Sequence, residues 1–248
     1  MKKMVINSEY ESLRSFVEEL PVSFDNRGEI IYSGRNVVRD IPVQNIHINV
    51  KRFKVPNFIN QLVYGNFRKS KARRSFEYAN ILIQNGIGTP DPIAYIEQKS
   101  GILFRDSYYV SVHEQFDGLM REFKWGQLAG RENLLDQFAR FTASMHDKEI
   151  MHIDYSPGNI LYKEDAGNYT FYLVDLNRMY FGPVSMEKGC ENLRRLWGNE
   201  EMLTYIATKY AQYRQFDADE CVALVLKYHR EFWDAFTKKH KDRTPYIG

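Results

Sequence analysis

The chain has 248 residues, of which 44% are hydrophobic and 15% aromatic, and its formal net charge is +2. This length suits one domain of two lobes or two small domains, and the apolar content supports a substantial core, which excludes a disordered chain. The near-balanced charge gives no argument for nucleic acid as a partner.

The cysteine content and the N-terminal sequence indicate the cellular compartment in which the protein is expected. Cys190 and Cys221 are the only cysteines, and they indicate neither a metal site nor a disulfide framework, so a reducing compartment is the simpler interpretation. The first nine residues lack the apolar stretch of a signal peptide, and no run approaches the length of a membrane span. We therefore expect a cytoplasmic protein, with peripheral contact with a membrane surface left open.

The first predicted element is a short helix near the N-terminus. Ser8 and Glu11 form a capping-box pattern, a serine with a glutamate three residues later. The apolar residues that follow lie at helical spacing: Leu13, Phe16, Val17 and Leu20. The pattern predicts an amphipathic helix that ends before Pro21 and packs on the first lobe.

From Ser23 the apolar pattern has a period of two, which predicts β-strands. Residues 29–33 and 36–41 form a predicted hairpin around Gly34. Such a turn leaves backbone N–H groups free for phosphate oxygens, although a plain hairpin explains Gly34 equally well.

A third predicted strand, residues 44–53, carries a candidate phosphate-binding lysine. Its apolar residues share one face: Ile46, Ile48 and Val50. Lys51 therefore lies on the opposite face, where a ligand can reach it. Lys54 is an even number of residues from Val50, so it is expected to lie on the apolar face. The alternative is a solvent-facing lysine on a half-buried strand.

The basic run 68–74 opens a predicted helix that extends to about Gln84 and ends at Gly86. Its predicted inner stripe is Phe76, Ala79, Asn80 and Ile83. Glu77 lies next to the stripe, and we expect it to pair with Lys51; the alternative is a glutamate that neutralises nearby arginines. The basic run itself is most often a solvated face, and anionic lipid or a phosphorylated glycan is the other candidate partner.

Two further strands are predicted at residues 93–97 and 107–115, and a strong amphipathic helix at residues 128–147. The helix leads into His152-Ile153-Asp154-Tyr155-Ser156-Pro157-Gly158-Asn159, which reads H-x-D-x-x-x-x-N. This is the pattern of a phosphotransferase catalytic loop.

The residue types in the loop fit phosphoryl transfer. Asp154 has the position of the carboxylate that orients and deprotonates an attacking hydroxyl, and Asn159 that of an amide that holds a metal ion. We expect a hairpin after residue 160 to bring Asp175 beside Asn159, where a second carboxylate bridges metal and phosphate. Chance is the alternative, because Asp and Asn are common in loops.

The remainder of the chain is predicted to be helical. The predicted helices are residues 191–197, 200–212 and 218–238, and Asp217 is the expected N-cap of the last one. We interpret these helices as scaffold.

Several segments together resemble the protein-kinase-like superfamily and, within it, the bacterial lipopolysaccharide kinases. The segments are Val50–Phe53, Arg73–Glu77, Gly86–Pro90, His152–Leu161, Val174–Arg178 and Glu191–Leu196. The last two resemble this branch rather than eukaryotic protein kinases. The chain has no A-P-E stretch and only a short segment after Asp175, which leaves little platform for a peptide substrate.

The resemblance implies an α+β, protein-kinase-like two-lobed fold with a small antiparallel β-sheet N-lobe and a mainly helical C-lobe. We expect an N-terminal helical extension over residues 1–22, the N-lobe over 23–117 and the C-lobe over 118–248. The resemblance also implies that backbone groups of Glu114 and Phe116 bind the adenine of ATP and that Gly34 belongs to the nucleotide loop.

The implied activity is transfer of the ATP γ-phosphate to a sugar hydroxyl, heptose or 3-deoxy-octulosonic acid, on the lipid A–core glycolipid. Lys51, oriented by Glu77, would hold the phosphates, Asn159 and Asp175 would hold Mg²⁺, and Asp154 would be the base. We expect a monomer in the cytoplasm, with peripheral contact with the inner membrane left open.

Three rival functions remain from the sequence. The loop pattern is shared by small-molecule phosphotransferases of the aminoglycoside and choline kinase type, so it defines the reaction better than the acceptor. A protein kinase is disfavoured by the missing substrate platform. A pseudokinase that binds partners without chemistry is the third.

Overall fold

The structure, a computed structural model, describes residues 2–55 and 69–241. The chain divides into two compact units. The first unit comprises Met1–Gln115 with Asp175–Asn177, and the second comprises Phe116–Val174 and Arg178–Gly248. Arg68, the predicted start of the basic run, lies outside the described residues, and the predicted domain division at residues 22 and 117 stays a prediction.

The first unit is built on a six-stranded sheet with the order β1-β5-β6-β4-β3-β2, in which all neighbouring strands are antiparallel. The strands are β1 Lys2–Ile6, β2 Glu29–Ser33, β3 Val37–Val43, β4 Ile46–Phe53, β5 Pro92–Ser100 and β6 Leu103–Val112. The predicted hairpin, third strand and two later strands are all present. β1 was not predicted; it pairs with β5, with Met4 opposite Ile96.

Helices α1 Arg14–Ser23 and α2 Lys71–Gln84 pack on this sheet. The buried residues of α1 pack against Ile48 and Val50 of β4, as predicted. Ala72 and Phe76 of α2 pack against Phe53, which has the opposite parity on the same strand. Lys51 shares the parity of Phe53, so it lies on the face that carries α2.

The N-terminal helix differs from its prediction. A 3-10 turn at Ser8–Leu13 precedes α1, Asn7 rather than Ser8 is its N-cap residue, and no side chain caps it. Pro21 lies inside α1, although proline removes a backbone donor there and disfavours a helix interior. The buried Phe24 anchors the segment beyond Pro21, so burial outweighs the local cost.

Helix α2 ends as predicted, and its buried face departs from the predicted stripe only toward the C-terminal end. Gly86 has a φ of 65°, in the left-handed region. Its N–H donates to the carbonyl of Ile83, and the N–H of Ile87 donates to the carbonyl of Leu82. Leu82 is fully buried and Ile83 is 42% exposed, which corrects the predicted stripe. Ala72, at the start of the helix, is also fully buried, so the buried face of α2 includes Ala72 and Leu82.

The second unit is mainly helical. Its α-helices are α3 Glu132–Asp147, α4 Met186–Asn192, α5 Glu200–Arg214 and α6 Ala218–Lys239. Helix α5 packs against both α3 and α6, and α4 packs against α6. Asp217 caps α6 as predicted, because its carboxylate accepts from the N–H of Glu220 at 2.8 Å.

Two small antiparallel sheets accompany these helices. Their strands are β7 Gly118–Leu119, β8 Ile150–His152, β9 Ile160–Asp165, β10 Asn168–Leu173 and β11 Met179–Phe181. β9 pairs with β10 and β7, and β8 pairs with β11. The segment that carries Asp154 and Asn159 joins β8 to β9, so both of its ends are held by paired strands.

Candidate active site

In the first unit, the predicted phosphate-binding lysine forms an ion pair with a predicted metal ligand. Lys51 Nζ lies 2.6 Å from Asp175 Oδ1, although the two residues are far apart in sequence. Asn177 donates a second hydrogen bond to the same oxygen through Nδ2, also at 2.6 Å. The carboxylate is therefore fixed by two donors, and sequence reasoning had missed Asn177 as one of them.

Asp175 has a backbone conformation that is uncommon for a residue with a side chain. Its φ is 58°, in the left-handed region. Asp tolerates this region better than most residues, yet the conformation still costs free energy, and such outliers cluster at functional sites. The strain is consistent with a carboxylate that is held for binding rather than for stability.

The predicted pair of Lys51 with Glu77 is wrong for this structure. Glu77 instead binds Lys69 at 2.8 Å and Arg73 at 2.7 Å, while Lys51 binds Asp175. Arg73 precedes Glu77 by four residues on α2, so this ion pair needs no long-range ordering. Burial is the largest single effect on the pKa of Glu77, and it raises the pKa. The hydrogen bonds and charges of Lys69 and Arg73 together outweigh burial, so the pKa is lower than its ordinary value.

The predicted nucleotide-binding residues Gly34 and Glu114 also lie in the first unit. Gly34 is at the tip of the β2–β3 hairpin, and its N–H donates to the carbonyl of Asn36 at 3.1 Å. This hydrogen bond closes the turn, so a plain hairpin accounts for Gly34. Glu114 lies just after β6 and is partly buried. The role of both residues in nucleotide binding stays a prediction.

In the second unit, His152 organises the catalytic-loop segment from a fully buried position. The backbone N–H of Asp154 donates to His152 Nδ1 at 3.1 Å, and His152 Nε2 lies 3.1 Å from the carbonyl oxygen of Val174. Because an N–H can only donate and a carbonyl can only accept, Nδ1 carries no proton and Nε2 carries one. His152 therefore holds the backbone at Asp154 rather than acting as a base.

Asn159 is oriented so that its amide oxygen is suited to a metal ion. Its Nδ2 donates to the backbone carbonyl of Asp154 at 2.9 Å, which assigns the nitrogen of the amide to this contact. Its backbone N–H donates to Ser156, and its carbonyl accepts from Val174. The amide is thus fixed at one end, and Oδ1 is the branch left for a cation.

Asp154 forms an ion pair that the sequence did not predict. Arg195 donates from Nη1 to Asp154 Oδ1, and both side chains are partly shielded, with relative exposures of 29% and 27%. Arg195 belongs to the Glu191–Leu196 segment that carries the family resemblance. That segment was the available signal, but nothing in it assigned the partner.

A buried network of hydrogen bonds connects helix α3 to the backbone of the catalytic-loop segment. His146 on α3 contacts Tyr210 Oη through Nδ1 at 2.9 Å and Asn192 Oδ1 through Nε2 at 3.2 Å. Asn192 in turn donates from Nδ2 to the backbone carbonyl of His152 at 2.9 Å. Burial lowers the pKa of His146 to about 3, with the Arg214 charge as a second cause. A neutral imidazole therefore links the helices to the loop.

Phe116, the other predicted adenine-binding residue, is packed in the second unit. Its ring centroid lies 5.1 Å from that of Tyr172, and Lys163 Nζ lies over both rings. These are side-chain contacts, so the predicted role of its backbone stays a prediction.

The donor set fits magnesium better than a transition metal. The predicted ligands, Asn159 and Asp175, offer an amide and a carboxylate oxygen, and Mg²⁺ is commonly held by one or two such groups together with substrate phosphates and water. Within residues 2–55 and 69–241, no group of three or more His, Cys, Asp or Glu side chains is placed to hold a metal ion by itself. Over the same ranges, no helix has the length and apolar character needed to span a bilayer.

Comparison with known proteins places these features in a family. The model of the lipopolysaccharide kinase (Kdo/WaaP) family matches residues 37–216, which is most of the chain. A 3-deoxy-D-manno-octulosonic acid kinase of Mannheimia succiniciproducens is 24% identical over 138 residues, 55% of this chain and 56% of that protein. The chain thus matches only about half the length of this curated relative.

A solved structure supports the fold independently. The chain is similar to WaaP in complex with acyl carrier protein, with a TM-score of 0.62 and 14% identity over 92% of this chain and 97% of that one. At this identity the likeness concerns the fold, and it confirms the predicted protein-kinase-like fold. Together with the extent of the family match, these findings show that the chain belongs to the lipopolysaccharide kinase (Kdo/WaaP) family.

Proposed function

We propose that the protein is an ATP- and Mg²⁺-dependent kinase that transfers the γ-phosphate to a sugar hydroxyl of the lipopolysaccharide core. The observation that carries the proposal is the 2.6 Å ion pair between Lys51 and Asp175, which joins a phosphate-binding cation and a metal-binding carboxylate. Family membership supports a phosphotransferase, and the choice between 3-deoxy-octulosonic acid and heptose as acceptor is part of the proposal.

Four of the predicted residues have a role in this reaction. Lys51 donates to oxygens of the α- and β-phosphates. Asn159 and Asp175 would hold Mg²⁺, which would supply positive charge to neutralise the phosphates. Asp154 orients the acceptor hydroxyl and accepts its proton as the sugar oxygen bonds to the γ-phosphorus. The bond between the γ-phosphorus and the bridging oxygen breaks, and ADP leaves.

We also propose where the enzyme works. A glycolipid acceptor lies at a membrane surface, so a protein without a spanning helix in its described part reaches it by peripheral contact. The proposed arrangement is a monomer at the cytoplasmic face of the inner membrane. Gly34, Glu114 and Phe116 are proposed to bind the nucleotide.

The test is to incubate the purified protein with Mg-ATP and one acceptor at a time, and to read phosphate gain by mass spectrometry. The acceptors are intact lipid A–core, free sugars and amino-alcohols. Asp154→Ala is the active-site variant, and Asp165→Ala, which removes an exposed carboxylate from the β9–β10 hairpin, is its matched control.

The expected result is one phosphate on the glycolipid, a loss of about 10² to 10⁴ in turnover for Asp154→Ala, and normal turnover for Asp165→Ala. Phosphate only on amino-alcohols would instead identify a small-molecule phosphotransferase. Nucleotide binding without transfer to any acceptor would identify a pseudokinase and overturn the proposal.

A further inference from the structure

Two adjacent arginines, Arg194 and Arg195, lie just after α4 and have different partners. Arg195 donates from Nη1 to the carboxylate of Asp154, whereas Arg194 donates from Nη1 to Glu191, three residues earlier. Both guanidinium groups also lie over the ring of Phe232 on α6, at 5.0 Å and 5.7 Å from its centroid. The two side chains therefore share an aromatic support and differ in the carboxylate they bind.

The backbone that presents Arg195 is anchored on both sides. Arg195 ends a 3-10 turn, Leu193–Arg195, and the flanking Leu193 and Leu196 are 0% and 1% exposed. The aromatic ring of Phe232 limits the positions that the guanidinium can take. Because its position is fixed by these neighbours, Arg195 can orient a partner at little additional entropic cost.

The contact has a direct consequence for the proposed base. A carboxylate rotates about its terminal torsion, which has broad minima, so an aspartate with no fixed partner samples many orientations. Arg195 binds Oδ1, and the loop holds the backbone of Asp154 through His152. With one oxygen fixed, the other is the acceptor for the proton of the substrate hydroxyl.

We propose that Arg195 is a positioning residue that aims the Asp154 carboxylate, a role that rests on the proposed function. It acts through Asp154 and does not bind either substrate. Loss of the contact therefore lowers kcat, because the base is misplaced in the transition state, while binding of ATP and acceptor is retained. An arginine that bound the acceptor or the phosphates directly would change KM instead.

The experiment measures kcat and both KM values for Arg195→Ala, Arg195→Lys and the matched control Arg194→Ala. Arg195→Ala is expected to lose about 10²-fold in kcat, the size associated with a misplacement of about 1 Å, with each KM within about threefold of wild type. Arg195→Lys keeps the charge but not the planar fork and is expected to lose about tenfold. Arg194→Ala is expected to keep wild-type kcat.

Chemical rescue separates positioning from a structural role. Guanidinium ion at sub-denaturing concentration is expected to raise kcat of Arg195→Ala severalfold, and to leave Asp154→Ala unchanged because the base is absent there. Thermal melting identifies any variant that does not fold, and in that case Arg195→Lys carries the test. A change confined to KM, or an equal loss of kcat in Arg194→Ala, overturns the proposal.

A double variant separates failure of this role from failure of the proposed function. If Arg195 acts through Asp154, adding Arg195→Ala to Asp154→Ala lowers kcat by no more than about twofold, because residues that act as a unit are non-additive. Full activity of Asp154→Ala would overturn the catalytic assignment itself. An inactive Asp154→Ala beside a fully active Arg195→Ala would overturn only the positioning role.

Discussion

Replacing Asn192 with alanine tests the buried network behind the catalytic loop. The change removes the hydrogen bond at 2.9 Å to the backbone carbonyl of His152 and the contact at 3.2 Å with His146 Nε2. His146 is 1% exposed and His152 is fully buried, so water does not readily replace either bond. Asn192→Ala therefore removes one hydrogen-bond partner from each of two buried groups.

The expected cost follows from these two groups. A buried polar group that loses its partner costs about 1 to 3 kcal/mol, so the two groups together predict a loss of about 2 to 6 kcal/mol in the free energy of unfolding. For a chain of this size, that corresponds to a fall of about 4 to 24 °C in Tm. We also expect kcat to fall, because the carbonyl of His152 no longer anchors the loop that carries Asp154.

The assay is urea denaturation with linear extrapolation, supported by thermal melting. Asn133→Ala is the matched control: its Nδ2 donates to the carbonyl of Gly167 in an exposed turn, and Gln137 donates to the same carbonyl at 2.9 Å. Because one donor remains, Asn133→Ala is expected to cost less than about 1 kcal/mol. Wild-type stability of Asn192→Ala, or an equal loss of stability in the two variants, would show that the buried network at Asn192 does not stabilise the protein as predicted.

Three further predictions concern stability. Gln215, the C-cap of α5, has a φ of 56°, so Gln215→Gly is expected to stabilise the protein by about 0.5 to 1 kcal/mol in urea denaturation. Ser70 caps α2 by accepting from the N–H of Arg73 at 3.0 Å, so Ser70→Ala is expected to cost about 1 kcal/mol in the same measurement. Burial lowers the pKa of His146 from 6.5 to about 3, so the unfolded chain binds this proton first as the pH falls. Its contribution to stability is complete above pH 6.5 and declines toward pH 3, and the excess stability of wild type over His146→Gln is expected to shrink on acidification.

Each of these predictions has a contrary outcome. Destabilisation by Gln215→Gly would show that the glutamine side chain contributes more than the backbone strain costs. An unchanged free energy of unfolding in Ser70→Ala would show that the cap hydrogen bond has no net value. A difference between wild type and His146→Gln that is constant with pH would show that His146 binds protons equally in the folded and unfolded chains.

The parts of the fold that follow from short-range patterns were predictable. The alternation in residues 44–53 assigned Ile48 and Val50 to the buried face and Lys51 to the other, and Gly86 marked the end of α2. These signals act over a few residues, where side-chain direction and backbone freedom decide the structure.

The errors arose where distant packing decides the local structure. β1 has two lysines and no clear alternation, and it is a strand because β5, about ninety residues later in the chain, supplies its hydrogen bonds. Pro21 remains helical because Phe24, three residues beyond it, is anchored in the core. Neither partner is visible in a window of sequence.

The candidate site shows the same division. The motif predicted Asp154, Asn159 and Asp175 as site residues by type and spacing. It did not predict that a lysine binds Asp175 or that an arginine binds Asp154. Lys51 is found with Asp175 rather than Glu77, because Glu77 has Arg73 one helical turn away. Arg195 was visible only as part of a family segment, since an ion pair over forty-one residues has no periodic signature.

We propose that Lys51 and Asp175 belong to a site for magnesium nucleotide. The decisive experiment is calorimetric titration of Mg-ATP into wild type, Lys51→Met, Asp175→Ala and the control Asp165→Ala. We predict Mg²⁺-dependent binding that is retained in Asp165→Ala, weakened in Lys51→Met and lost in Asp175→Ala. Unchanged Mg-ATP affinity in Asp175→Ala would contradict the account.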